Sequence, residues 1–223
     1  NQFHSGSAVG DAITNQMLLI QDILRKEGYE SEIYVEHIGE GLGNRLKKIN
    51  SYKGQEDAIL LVHHSMGFDC FEKIIGLPDK KVLIYHNITP ERFFEDEGIK
   101  KYIRKGLAQL KEYKNHVVYS IADSNYNRKD MIRQGYDKVD VMPVQVSLNR
   151  FDDLEIVKEI KEKYQSSTNI LFVGRVVQNK CQDDLIKCFS LYAKYFDADS
   201  HLFLAGDLGM EGYVAQLKEL CRG

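Results

Sequence analysis

Two hydrophobic periods alternate along the chain. Short apolar or β-branched runs occur at Ser31 to Glu36, Asp57 to Val62, Lys81 to Tyr85, Val117 to Ala122, Ile170 to Val173 and His201 to Ala205. Their length and composition predict strands. Between them, apolar residues recur at helical spacing: Ile13, Met17, Ile20 and Leu24; Ile99, Ile103, Leu107 and Leu110; Leu185, Ile186 and Phe189; then Tyr213 to Leu220. Strands alternating with helices predict an α/β fold with a parallel sheet. Asn1 to Gly10 reads as a small-residue loop on the tail of a first strand that is mostly missing, so the opening is an incomplete βαβ unit. Gly28 and Gly135 read as helix stops, and Asp123, Ser124 and Asn125 as the start of a helix running through Arg133.

Several strands end on polar residues. The run Asp57 to Val62 stops at His63, His64 and Ser65, and the run Lys81 to Tyr85 stops at His86, Asn87, Ile88 and Thr89. In doubly wound sheets ligands sit beyond the carboxyl ends of the strands. A single histidine there is compatible with either a structural hydrogen bond or a functional role, but two at successive strand ends favour a site.

Asn169 to Phe189 has a different character, reading NILFVGRVVQNKCQDDLIKCF. An apolar strand runs into Gly174, a basic turn with Arg175 and Lys180 follows, and a helical pattern begins. Glycine permits close backbone approach, and a helix start presents unpaired N–H groups at a positive dipole end, so this loop suits an anion. Val139 to Val146 holds one of three prolines and gives way to a polar, acidic stretch. Three regions follow: a domain over residues 1–148, a hinge over 149–168 and a partial second domain over 169–223.

Charge narrows the classes of function. A net charge of −3 with charged residues at 28% argues against a nucleic-acid binder that depends on a basic surface. The four cysteines form no CxxC pair, which argues against a disulfide framework or zinc site. Asp197-Ala198-Asp199 has metal-site spacing but lies where a turn is expected. No apolar run approaches a membrane span and no signal-peptide pattern is present, so the cytoplasm is the expected location. The amphipathic stretch Gly98 to Lys114 carries Lys100, Lys101, Arg104, Lys105, Lys111 and Lys114 largely away from its apolar face. A solvated polar face is the favoured reading, with docking at the inner face of an anionic membrane as the alternative.

The segments GDAI (Gly10 to Ile13), YHNITP (Tyr85 to Pro90), ADSNYN (Ala122 to Asn127), VGRVVQNK (Val173 to Lys180) and LAGDLG (Leu204 to Gly209) occur in this order. Together they resemble the retaining GT-B glycosyltransferases of the group 1 (family four) kind. The resemblance covers nearly the whole chain. It implies two Rossmann-like lobes, the first nearly complete and the second truncated. It implies that Arg175 and Lys180, with Gly174, hold the diphosphate of a nucleotide sugar and that His86 is the catalytic-site histidine. Gly10 and Asp11 match the loop facing diphosphate and acceptor, and His64, Asn87 and Ser124 are expected to line the site. Glu211 and Glu219 imitate the family's paired glutamates but come too early in the chain, so the true pair is expected outside it.

The implied activity is transfer of a sugar from a nucleoside-diphosphate sugar to a glycan or lipid-linked acceptor with retention of configuration. Neither metal nor resident cofactor is expected. A GT-B sugar-nucleotide epimerase is the enzymatic alternative, and an inactive fragment that retains only phosphate binding is the non-enzymatic one.

Overall fold

In the computed structural model the described residues are 1–145, 155, 157–209 and 211–222. The chain divides into two compact units, Asn1–Ser147 and Leu148–Gly223.

The first unit runs β1 (Gln2–Gly6), α1 (Ala12–Lys26), β2 (Ile33–His37), β3 (Leu46–Lys48), β4 (Ile59–His64), α2 (Phe71–Gly76), β5 (Lys80–Tyr85), α3 (Glu97–Tyr113), β6 (Val117–Ala122), α4 (Asn125–Arg133) and β7 (Asp140–Val141). The strands form one seven-stranded sheet in the order β3-β2-β1-β4-β5-β6-β7, and every pairing is parallel. The order reverses between β1 and β4, which makes the carboxyl ends of these strands the topological switch point. This is a Rossmann-like α/β fold.

One sequence expectation needs correction here. Gln2–Gly6 is a paired central strand and not a loop, because its polar residues are buried by tertiary neighbours that a local pattern does not reveal. The short β3 and α2 fall in stretches with no clear periodicity. Within Val139 to Val146, read as the stretch before the hinge, Asp140–Val141 pairs with β6, and Val146 lies outside the described residues.

Register explains the two faces of the sheet. Phe3 pairs with Val62, Val62 with Leu83 and Tyr85 with Ala122, and all belong to the main hydrophobic core. Residues one step out of phase point to the other face. There α1, started by the N-cap Asp11, buries Thr14, Gln16, Met17 and Gln21. Helix α3 buries Ile103, Gly106, Gln109, Leu110 and Tyr113, whereas Ile99 and Leu107 remain 37% and 38% exposed. The stripe turns toward Gly106 because the Gly67 N–H donates to the Tyr102 carbonyl at 3.0 Å, drawing a loop against the helix backbone.

In the second unit, β8 (Thr168–Val173) and β9 (Ser200–Ala205) pair in parallel, with α5 (Lys158–Tyr164) before them, α6 (Gln182–Tyr195) between them and α7 (Glu211–Leu220) after them. Val176, Ile186, Tyr213 and Leu217 form its core with Leu202 and Leu204. Helix α5 lies within the segment expected to be hinge. On the sheet face away from this core, Leu171 and Val173 are 63% and 73% exposed.

Candidate functional site

The α1 side of the first sheet carries a polar row where a doubly wound core is usually apolar. Gln2 aligns with Leu61, Leu61 with Val82, and His63 with Ile84, so Gln2, His4, His63 and His86 share a face by alternation. Their hydrogen bonds form a connected set. Gln2 Nε2 donates to the Met17 carbonyl at 2.8 Å. His63 Nε2 lies 3.1 Å from Gln2 Oε1, and His63 Nδ1 lies 2.8 Å from His86 Nε2. The two imidazole planes lie 9° apart with centroids separated by 5.1 Å, so the rings meet edge to edge in nearly one plane. His4 Nδ1 donates to the His63 carbonyl at 2.8 Å.

Burial keeps these rings neutral. Together with the neighbouring His4 it pulls His86 down to about 3. It holds His63 well below the usual histidine range, again with help from His86 and His4, and lowers His4. The Asp11 carboxylate raises His4 and His86 without overcoming burial. A neutral imidazole offers one donor and one acceptor, not a charge.

The residues expected from sequence divide into two groups. His86 stands at the carboxyl end of β5 with its side chain 2% exposed and Nδ1 4.0 Å from Asp123 Oδ2. Asn87, next to it, adopts φ +76, a left-handed conformation that asparagine tolerates better than most residues. His64, expected as a lining residue, instead points to the opposite face. Its Nε2 donates to the Gly106 carbonyl at 2.9 Å, its ring meets Phe68 and Tyr113 edge-on, and burial pulls it down to about 4. The physical reason is alternation: His64 is in phase with the core residues Leu60 and Val62.

Ser124 is the N-cap of α4 and accepts from the Asn127 N–H. Asp11 is the N-cap of α1, with Oδ2 accepting from the Thr14 N–H at 2.8 Å and from the Thr14 hydroxyl at 2.9 Å. Gly10 before it has φ +83. A carboxylate thus occupies the helix start that the sequence assigned to a phosphate-facing loop.

In the second unit Gly174, Arg175 and Lys180 lie on the loop between β8 and α6. The Gly174 N–H donates to the Ala205 carbonyl and the Val176 N–H to the Asp207 carbonyl, so the end of β9 holds the loop on one side. Gly206, with φ +152, makes this possible, since a Cβ there would fall 2.0 Å from the Gly174 carbonyl oxygen. Gln182 Nε2 donates to the Arg175 carbonyl at 3.0 Å. Arg175 and Lys180 are both exposed, and among the described residues neither has an ion-pair partner. Helix α6 starts after Cys181, whose φ of 53 is left-handed and whose side chain makes no capping hydrogen bond. Its first turn carries Asp183 and Asp184, both paired with Lys187, and the Asp183 N–H donates to the Tyr213 hydroxyl.

The two decoys have structural explanations. Asp197 Oδ1 accepts from the Asp199 N–H at 3.0 Å, closing the turn before β9. Glu211 and Glu219 belong to α7. Sequence reasoning missed Gln2, His4, His63 and Asp123. The signal available for His63 was the strand alternation that places it opposite His64.

A solved structure shares this architecture. It is a glycosyltransferase from Rickettsia africae, similar to this chain at 18% identity with a TM-score of 0.63 over 99% of this chain and 64% of that one. At this identity the likeness speaks for the fold. The chain therefore spans 64% of that protein's length. No family model matches the chain, and no curated protein sequence does.

Proposed function

We propose that the protein carrying this chain is a retaining GT-B glycosyltransferase of the group 1 kind, moving a sugar from a nucleoside-diphosphate donor to a glycan or lipid-linked acceptor. The observation that carries this reading is the loop from Gly174 to Lys180. Its backbone is fixed by β9, its two cations are exposed, and it opens onto a helix start without a side-chain cap. In this reading Arg175 grips two phosphate oxygens through its planar fork and Lys180 adds a point charge.

Departure of a nucleoside diphosphate leaves a concentrated negative charge. Preorganised donors that meet this charge lower the barrier more than a proton transfer would. His86 is the catalytic-site residue of the first unit. Being neutral, it acts through hydrogen bonding, and no step is assigned to an imidazolium. Asp11 and Asp123 flank it with carboxylates, a setting that favours hydroxyl-bearing ligands over phosphate. The likeness in fold to a solved glycosyltransferase supports the same reading.

The test is a mass-spectrometric screen of nucleotide sugars against the full-length protein with pooled glycan and lipid-linked acceptors. A mass gain of one sugar on an acceptor, with release of nucleoside diphosphate, is expected. Conversion of the donor without any acceptor would overturn transfer in favour of epimerisation, and consumption of no donor would overturn both.

A further inference from the structure

We propose that His63 is a positioning residue that fixes the tautomer of His86, leaving His86 Nδ1 as a hydrogen-bond acceptor for a hydroxyl of the bound substrate. The direction of the hydrogen-bond chain follows from its first member. A backbone carbonyl only accepts, so at Met17 the Gln2 side chain must present its amide nitrogen. That leaves Gln2 Oε1 toward His63, and an oxygen acceptor requires His63 Nε2 to carry the proton. In a neutral ring Nδ1 then has the lone pair. The contact at 2.8 Å with His86 Nε2 therefore needs the proton on His86. One proton per ring leaves His86 Nδ1 bare.

Reversing the chain would set two acceptors against each other at Gln2 or at Met17. Charging His63 would put a cation in a fully enclosed place beside two other imidazoles, which its burial opposes.

What surrounds the bare nitrogen decides what it can bind. Among the described residues His86 Nδ1 is buried without a hydrogen-bond partner. The nearest charged group is Asp123 Oδ2 at 4.0 Å, another acceptor. The other oxygen of Asp123 accepts from Asn127 Nδ2, which orients the carboxylate. Two acceptors facing each other call for a donor between them, and a buried acceptor left unmatched is destabilising. A sugar hydroxyl supplies such a donor, whereas a phosphate oxygen would add a third acceptor. The hydroxyl ligand rests on the glycosyltransferase reading; the tautomer does not.

The experiment therefore has two arms. Long-range 1H–15N correlation spectra of histidine-labelled protein at pH 7 read the tautomers directly. His63 and His86 are expected as neutral Nε2–H rings and His4 as an Nδ1–H ring. An Nδ1–H or charged His86 in the wild-type protein would overturn the proposal, whatever the enzyme does and without any variant. The second arm compares His63→Asn, whose side-chain oxygen can accept where Nδ1 stood, with His63→Leu, which cannot. His63→Asn is expected to keep the Nε2–H signal of His86 and to stay within about threefold of wild-type kcat. His63→Leu is expected to lose the single tautomer and at least tenfold in kcat, with KM little changed. Equal tautomer populations and equal rates in the two variants would overturn the positioning role. Absence of transfer in the wild-type protein would overturn the functional reading and leave the tautomer result to be judged by itself.

Discussion

His63 and His86 meet edge to edge, with Nδ1 of one 2.8 Å from Nε2 of the other, while the adjacent His64 turns the opposite way to the Gly106 carbonyl. Two consecutive histidines thus do different work because a strand sends neighbours to opposite faces. One joins the polar row under α1, and the other fills the apolar core against α3.

Buried neutral histidines make the fold acid-sensitive. An unfolded histidine titrates near 6.5, whereas His64 and His86 are pulled to about 4 and about 3 in the fold. Below pH 6.5 the unfolded chain therefore binds more protons, and stability falls as pH falls toward the folded values. Each unit of difference corresponds to about 1.4 kcal/mol per group, so His64 alone accounts for roughly 3 kcal/mol between pH 6.5 and 4. Urea unfolding at pH 7, 6 and 5 should show this loss, and His64→Leu should reduce its slope while lowering stability at pH 7. A flat profile would contradict the buried neutral cluster.

Gly106 should not tolerate alanine despite its place inside α3. Replacing a mid-helix glycine ordinarily stabilises by up to about 1 kcal/mol. A Cβ at Gly106 would lie 2.6 Å from the Gly67 backbone nitrogen, and relieving that contact means moving the loop that α3 holds. Gly106→Ala is expected to lose about 1–3 kcal/mol net, read as a lowered melting temperature. Gly212→Ala, in α7 with open space where the Cβ would go, serves as the control and should not lower stability.

Three of the six basic residues of the stretch from Gly98 to Lys114 are paired within the protein. Lys100 pairs with Glu97, Arg104 with Glu91 and Lys105 with Asp69. Exposed pairs of this kind contribute about 0–1 kcal/mol each. Changing Lys100, Lys101, Arg104 and Lys105 together to Gln should therefore leave the melting temperature within a few degrees. Co-sedimentation with anionic vesicles should be weak in the wild-type protein as well. Strong, salt-sensitive co-sedimentation abolished by the four changes would instead make this face a membrane-docking surface.

Much of the fold was legible in the sequence because its helices and inner strands carry clean periods. The apolar runs at Leu60 to Val62, Val82 to Tyr85 and Ile170 to Val173 are strands, and the amphipathic stretch read from Gly98 is a helix, capped earlier than expected by Asp96. β1 was not legible, since Gln2 and His4 are polar yet buried, and only α1 and β4 supply their partners. The histidine relay was hidden for the same reason. His86 could be singled out as a strand-end residue, but the choice between His63 and His64 depended on the phase of β4. Ser124 was legible as part of a helix start and caps α4, whereas Asp11, matched by resemblance to a phosphate-facing loop, caps α1.

The loop residues Arg175 and Lys180 should separate activity from stability. Both side chains are exposed, so Arg175→Ala and Lys180→Ala should leave the melting temperature nearly unchanged while transfer falls about 100-fold or more, the scale for loss of one preorganised donor. Lys180→Arg should retain more activity than Arg175→Lys, because an ammonium cannot reproduce the planar fork. Losses of stability in proportion to losses of activity would mark both residues as structural.

The central claim, that the Gly174 to Lys180 loop binds the diphosphate of a nucleotide sugar, is tested most directly by calorimetric titration. Nucleoside diphosphates would be titrated into the full-length wild-type protein and into Arg175→Ala. Saturable binding of at least one nucleoside diphosphate, weakened tenfold or more by the substitution, is the expected result. Binding of equal strength in the two proteins, or none to the wild type, would contradict the claim.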